Sequence, residues 1–300
     1  MLKVAWSEIY NHPLPEGHRF PMEKYDLLPR QLLHEGTIEQ ENIFRPRKLT
    51  EAEILSVHTS SYWQKLVKLD FTRQEERRSG FPITAQLVER EVTINAGTIQ
   101  CAEFALVHGI AMNIAGGTHH AFSDRAEGFC LLNDIAIAAQ YLLDLRKASQ
   151  VLVVDLDVHQ GNGTAEIFKN ETRVFTFSMH GAHNYPLQKE TSDLDVPLKD
   201  GTTDAEYLHK LDLHLKSLLD TVNPDFIFFQ SGVDVLATDK LGRLGLSIDG
   251  CKSRDQLVIQ EAKKAGIPLV ASMGGGYSKE IKDILEAHAN TYRTAQEIFF

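Results

Sequence analysis

The sequence predicts an α/β fold, a single domain spanning residues 1–300, with a mostly parallel central sheet covered by helices on both faces. Two observations predict it. After Gly97, apolar strand segments alternate with amphipathic helical ones, the pattern of parallel sheets joined by helical crossovers. No shift of composition, repeat or flexible linker divides the chain. A third concerns the site: several strand segments run into loops rich in Gly, His, Asp and Tyr, the rim where open parallel sheets bind ligands.

In chain order, MLKVAWSEIY reads as a first strand. Residues 7–90 read as mostly helical with irregular loops, punctuated by Pro13, Pro15, Pro21, Pro29, Pro46 and Pro82. GIAMNIA (109–115) is the next strand, followed by a helix through IAIAAQYLLDLRK (135–147) and the strand VLVVDLD (151–157). A helix through TAEIFK (164–169), the strand RVFTFSMH (173–180) and a helix over 204–222 follow. FIFFQSGVD then reads as a strand, residues 254–265 as a helix, IPLVASM as a strand, and the chain from Lys279 as a last helix. Gly161 and Gly163 permit a tight turn after VLVVDLD, with Thr164 expected to cap the helix after it.

Composition narrows the function. The 300 residues carry a formal net charge of -10, which argues against a nucleic-acid backbone as partner. It favours cationic substrates by steering, although solubility is the larger reason for such a balance. The one basic cluster, Arg73 with Arg77 and Arg78, is interrupted by Glu75 and Glu76 and reads as a solvated face. No apolar run reaches the roughly 18 residues of a membrane span, and the first residues lack the pattern of a secretory signal. Three widely spaced cysteines, Cys101, Cys130 and Cys251, argue for reduced thiols in a cytoplasmic setting and against a disulfide framework or a cysteine-ligated zinc.

Four strand ends bring His119, His120, Asp155, Asp157, His159, Asp234 and Tyr277 toward one rim. Asp157 and His159 are two apart, so on an extended strand both face one side, and Asp155 shares that parity. With Asp234 from a neighbouring strand, two carboxylates and an imidazole make a metal site with an open position. This donor set suits Zn²⁺ and equally Fe²⁺, Co²⁺ or Mn²⁺. Gly274, Gly275 and Gly276 are too many for a turn alone and let backbone approach a ligand while placing Tyr277. His119 and His120, adjacent and pointing apart, are candidates for proton transfer. His180 and His183 are expected near the entrance. The remaining histidines, His12, His18, His34, His58, His108, His209, His214 and His288, read as structural or surface.

GGTHHAFSDRAEGFCLLND, VVDLDVHQGNG, SGVDVLATDKLGRLGLS and GGGY, in that order, resemble the zinc-dependent histone deacetylases of the arginase–deacetylase fold over nearly the whole chain. The texture is most similar to the class IV branch and bacterial-type homologues. The resemblance implies one Zn²⁺ on Asp157, His159 and Asp234. It implies His120 as the main proton shuttle, His119 as a charge stabiliser oriented by Asp155, and Tyr277 as the donor to the reacting carbonyl. It implies Phe129, Gly128 and Gly275 as tunnel walls. A structural K⁺ or Na⁺ site is implied at Asp155, Asp157, His159, Ser178 and Met179, and a second at Phe168 and Val174. Arg19 aligns loosely with a basic residue of a product-release channel.

The chain departs from class I members in two places. Asn162 replaces a carboxylate behind the second histidine, which implies a less basic His120. No acidic rim residue that would grip a peptide backbone is recognisable over 71–90. The implied substrate is an acyl-lysine peptide or protein, or another acylated amine such as an acetylpolyamine. A two-metal ureohydrolase and a silent acyl-lysine-binding scaffold are the rival readings. Gly161, Gly232 and Leu236 stand where the former needs bridging carboxylates.

Overall fold

Eight short strands, none longer than eight residues, are the skeleton of the computed structural model, which describes residues 1–300. They are β1 (Lys3–Ala5), β2 (Ile43–Phe44), β3 (Ile110–Asn113), β4 (Val151–Asp155), β5 (Val174–Gly181), β6 (Leu194–Leu198), β7 (Phe226–Gln230) and β8 (Leu269–Ser272). They form one sheet in the order β2-β1-β3-β8-β7-β4-β5-β6. Every pairing is parallel. The four strands whose ends attracted notice in the sequence, β3, β8, β7 and β4, are consecutive neighbours at its centre. Their loops therefore leave side by side.

The helices are α1 (Lys24–His34), α2 (Glu51–Leu55), α3 (Ser60–Lys68), α4 (Arg73–Ser79), α5 (Ala85–His108), α6 (Asp134–Asp144), α7 (Asn162–Phe168), α8 (Asp204–Val222), α9 (Ile248–Ala265) and α10 (Ile281–Phe299). α5, α6 and α7 pack in one group, and α1, α8, α9 and α10 in another. Strands β3, β4, β7 and β8 are buried along their whole lengths, as parallel strands covered on both faces must be. Local signals set the helix ends. The Thr84 hydroxyl accepts from Leu87 N at 3.1 Å to start α5, and Gly109 ends it at φ +85°. Asn133 caps α6 through Ala136 N at 3.0 Å, and Ser247 caps α9 through Gly250 N at 2.9 Å.

The structure corrects several expectations. α5 continues past Gly97 to His108, so the alternation of strands and helices begins later than expected, and a Cβ at Gly97 would lie 2.7 Å from Tyr10 Oη. That glycine serves packing and does not break the helix. β2 and β6 were not expected. β2 has only two residues, and β6 carries an exposed Pro197 at the sheet edge, where proline costs no ladder bond. α9 begins at Ile248, six residues ahead of the expected start. Thr164 is no cap: α7 starts at Asn162, and the buried Thr164 hydroxyl accepts from Asn133 Nδ2 at 3.0 Å. Gly163 lies inside α7, where any side chain would overlap the Ala121 carbonyl, so close packing requires it.

One buried residue of α9 joins fold to site. Arg254 is fully buried. Its guanidinium donates to Leu156 O at 3.2 Å, Gly232 O at 2.6 Å and Ser231 O at 3.2 Å, and pairs with Asp255 at 2.7 Å. Those carbonyls belong to the two loops that follow β4 and β7, so one side chain fixes the spacing between them. Removing one partner of a buried pair typically costs about 3–5 kcal/mol. Arg254→Met, which strands Asp255 and three carbonyls, is expected to lower stability by that order in denaturant titration. A loss under about 1 kcal/mol would show that the clamp is dispensable.

Candidate functional site

β4 ends at Asp155, so Asp157 and His159 lie just past the strand and not on it. The backbone still pairs there, Leu156 N donating to Gln230 O at 3.2 Å, which keeps the two-residue parity. His159 Nδ1 lies 3.0 Å from Asp157 Oδ1 and 3.1 Å from Asp234 Oδ2. One ligand atom from each of the three falls within 4.8 Å of the others, and all three residues are buried. Asp155, despite its parity, is not part of this trio. Its Oδ2 sits 2.7 Å from His119 Nδ1.

Backbone amides hold the carboxylates. His159 N reaches Asp157 Oδ1 at 3.0 Å, Gly275 N reaches Asp157 Oδ2 at 2.9 Å, and Val158 N reaches Asp234 Oδ1 at 3.0 Å. A Cβ at Gly161 would overlap Asp155 Oδ2, one at Gly232 Asp157 Oδ2, and one at Gly275 Asp234 Oδ2. The same crowding leaves no room at Gly161 or Gly232 for a bridging carboxylate.

Burial works against the charges of the trio. Burial, and then the charge of Asp157, push Asp234 up to about 7. For His159, burial opposes charging, but hydrogen bonds to Asp157 and Asp234 and their charges win and hold it up to about 10. Two buried carboxylates this close carry more negative charge than one imidazole neutralises. The nitrogen and oxygen donors fit a single divalent transition ion.

The histidine pair divides by environment. Their rings lie 4.1 Å apart. Burial opposes a proton on His119, but Asp155 and Asp157 outweigh it and hold the ring up to about 9. Burial, then the charges of His119 and His159, push His120 well below the usual range. His120 Nδ1 donates to Asn162 Oδ1 at 2.6 Å. Asn162 Nδ2 in turn donates to Glu127 Oε1 at 3.0 Å, and Tyr185 Oη donates to the same oxygen at 2.5 Å. A carboxylate only accepts, so Glu127 fixes the asparagine amide, and the amide fixes the tautomer. Neutral His120 therefore keeps Nε2 free as a base. A carboxylate does stand behind the second histidine, one residue beyond Asn162. Sequence spacing could not show it, because Glu127 precedes Asn162 by 35 positions.

Tyr277 is buried, and burial with the charges of Asp234 and Asp157 pushes its phenol well above the usual value, so it stays a neutral donor. Its ring centroid lies 5.9 Å from that of Phe129. Phe129 itself adopts φ +68° after Gly128 at φ +53°, and a Cβ at Gly128 would lie 2.6 Å from the His120 ring. These side chains wall a cavity of about 360 Å³ that opens to solvent. It continues inward to a chamber of about 40 Å³ beside His119, Asp157, Phe20 and Tyr25.

Other expected residues lie elsewhere. Arg19 is exposed and stacks over Phe129 at 4.9 Å, at the outer mouth and not at an inner channel. The buried cation behind the site is Lys24, which sequence reasoning missed because it opens an ordinary amphipathic helix. Its Nζ donates to Gly274 O at 3.2 Å. Burial, opposed by Asp234 and Asp157, lowers its pKa to about 8. His288, read as structural or surface, is fully buried and its Nε2 has no partner. His180 is buried against Ser178 Oγ at 3.0 Å, and His183 is exposed beside Asp200. Neither lines the entrance. Ser178 is paired with Asp155 in the β4–β5 register, and Met179 beside it is buried. Phe168 and Val174 are buried on either side of the α7–β5 turn.

Comparison with known proteins agrees with this geometry. The histone deacetylase domain model matches residues 18–292. An uncharacterized protein of Picosynechococcus sp. is 43% identical, covering 99% of each chain. Histone deacetylase 2 of Arabidopsis thaliana is 32% identical, covering 87% of this chain and 70% of that protein. Among solved structures, an HDAC homolog complexed with SAHA superposes with a TM-score of 0.85 at 24% identity, covering 99% of this chain and 84% of the other. An HDAC homolog from Aquifex aeolicus gives 0.83 at 24% identity, covering 98% and 84%. These matches define the class as a hydrolase on the arginase–deacetylase fold. The chain belongs to the histone deacetylase family, and deacetylase-type hydrolysis is its chemistry.

Metal analysis of the purified protein is expected to give one transition ion per chain, lost in Asp157→Ala and Asp234→Ala. Two ions per chain would revive a binuclear site.

Proposed function

We propose that the protein hydrolyses the acyl amide of an acetyl-lysine-like side chain, with Zn²⁺ on Asp157, His159 and Asp234, in a reducing, cytoplasmic setting. The single observation that carries the reading is the convergence of a neutral base, a charged imidazole and a neutral phenol around that trio. A Zn²⁺ held there would supply Lewis acidity toward the amide carbonyl and the attacking water. Fe²⁺ or Co²⁺ would satisfy the same donors. Three buried free cysteines support the reducing compartment. A structural K⁺ or Na⁺ beside Ser178 and Met179 belongs to the same reading.

In this reading His120 Nε2 takes a proton from the attacking water, and the water oxygen bonds to the carbonyl carbon. Tyr277 donates to the carbonyl oxygen as negative charge gathers there. His119, charged and held by Asp155, stabilises that charge. Protonated His120 then gives its proton to the departing nitrogen as the C–N bond breaks, leaving a carboxylate and an amine. Glu127, through Asn162, returns His120 to the tautomer that can act again.

The inner chamber also suggests the acyl length. A water needs about 10–15 Å³ of such volume, so a chamber of about 40 Å³ matches an acetyl group and not a fatty chain. An acetyl-lysine peptide is expected to exceed its octanoyl counterpart by about tenfold or more in kcat/KM, from the cost of forcing extra methylenes into a small chamber. With the acetyl peptide, Tyr277→Phe is expected to keep its metal and lose about 10²–10³ in kcat. Unchanged kcat would remove the phenol from the mechanism, and an octanoyl preference would overturn the acyl assignment.

A further inference from the structure

We propose that the natural substrate carries a carboxylate on the amine side of the scissile amide, and that Arg19, Arg77 and Arg78 receive it at the tunnel mouth. This deepens the deacylase reading above and rests on it. The outer cavity is lined by these three arginines, with Phe129, Tyr185 and Tyr277 among its walls, and by no carboxylate residue. All three arginines are exposed, and none forms a salt bridge. In a chain of net charge -10, the mouth is of the opposite sign to the whole.

Of the acids that interrupt the cluster in sequence, Glu75 is engaged elsewhere, while Glu76 lines the groove outside the mouth with Arg19 and Arg77. Glu75 pairs with Lys65 and caps its own helix through Thr72. Glu76 Oε1 accepts from Ile83 N at 3.3 Å. The backbone that carries the arginines is also held in place. Gly128 N donates to Arg78 O at 3.0 Å and Phe129 N to Ser79 O at 2.6 Å, which ties the last turn of α4 to the tunnel wall. His18 Nε2 lies 2.9 Å from Gly80 O, and the His18 ring stacks on Phe81, which fixes the segment bearing Arg19. Favourable charge at a helix C-terminus explains Arg77 and Arg78 on α4. It does not explain why Arg19, from another segment, meets them at the same opening.

A lysine side chain reaching inward from this mouth leaves its backbone among the guanidiniums. The carboxylate is then either the free α-carboxylate of an acetylated amino acid or a flanking Asp or Glu of a peptide. Cationic amines such as polyamines meet repulsion, the reverse of what overall charge suggested.

Two substrate pairs separate these sources. One is Nα-capped acetyl-lysine as the free acid against its amide. The other is a capped acetyl-lysine peptide flanked by Glu against the same peptide flanked by Lys, with a Gln-flanked peptide as neutral reference. The anionic member of at least one pair is expected to have a KM lower by about three- to tenfold, the range for two or three exposed ion pairs. The gap should narrow with added salt and collapse in Arg77→Gln/Arg78→Gln. Equal KM values in both pairs, or a cationic preference, would overturn the proposal. Failure to hydrolyse even the Gln-flanked peptide would instead count against the deacylase reading. Affinity of fluorescein-labelled peptides for Tyr277→Phe protein would still rank the charges and decide the rim.

Discussion

Asp157 and Asp234 are two carboxylates buried side by side where the central strands end, and the rest of the molecule is arranged around that fact. Burying one such charge is costly, and burying two at hydrogen-bond range of one imidazole requires compensation. The chain supplies part of it with backbone amides from Val158, His159 and Gly275. These come from loops that the parallel sheet, with β8, β7 and β4 adjacent, places together. The remainder is left for a cation. Glycine at 161, 232 and 275 is the steric consequence, since any side chain would enter the space of the carboxylate oxygens.

Support for the site is layered outward. Arg254 holds the carbonyls just ahead of Asp157 and Asp234. Asp155 charges one histidine, while burial and the charges of His119 and His159 keep its neighbour neutral and Asn162 sets that neighbour's tautomer, so two adjacent residues of one type take opposite states. Glu127 links that second histidine to Tyr185 at the outer cavity. The same hairpin-like stretch, through Gly128 and Phe129, is bonded to the end of α4. The proton-transfer group and the charged mouth therefore share one short piece of backbone.

Much of this was legible in sequence, because apolar strand segments and their polar terminations are local signals. The four central strands, the helix over 204–222 and the grouping of Asp157, His159 and Asp234 all follow from periodicity and parity. What was not legible depended on contacts between distant segments. Gly163 looks like part of a turn until the atoms packed against it are seen. Thr164 has the chemistry of a cap but is drawn inward by Asn133. Lys24 looks like one more helix lysine, and only the fold puts it behind Gly274. Arg77 and Arg78 look like a solvated face because their acidic neighbours seem to cancel them, whereas in the fold Glu75 pairs with Lys65 and both arginines line the outer cavity.

The central claim is that two carboxylates and one imidazole, with no sulfur, surround a single metal ion. X-ray absorption at the edge of the copurified metal tests it most directly. The account predicts a first shell of nitrogen and oxygen only, with the outer scattering of a single imidazole. A sulfur scatterer, or two imidazoles, would contradict it and move the ion away from Asp157, His159 and Asp234.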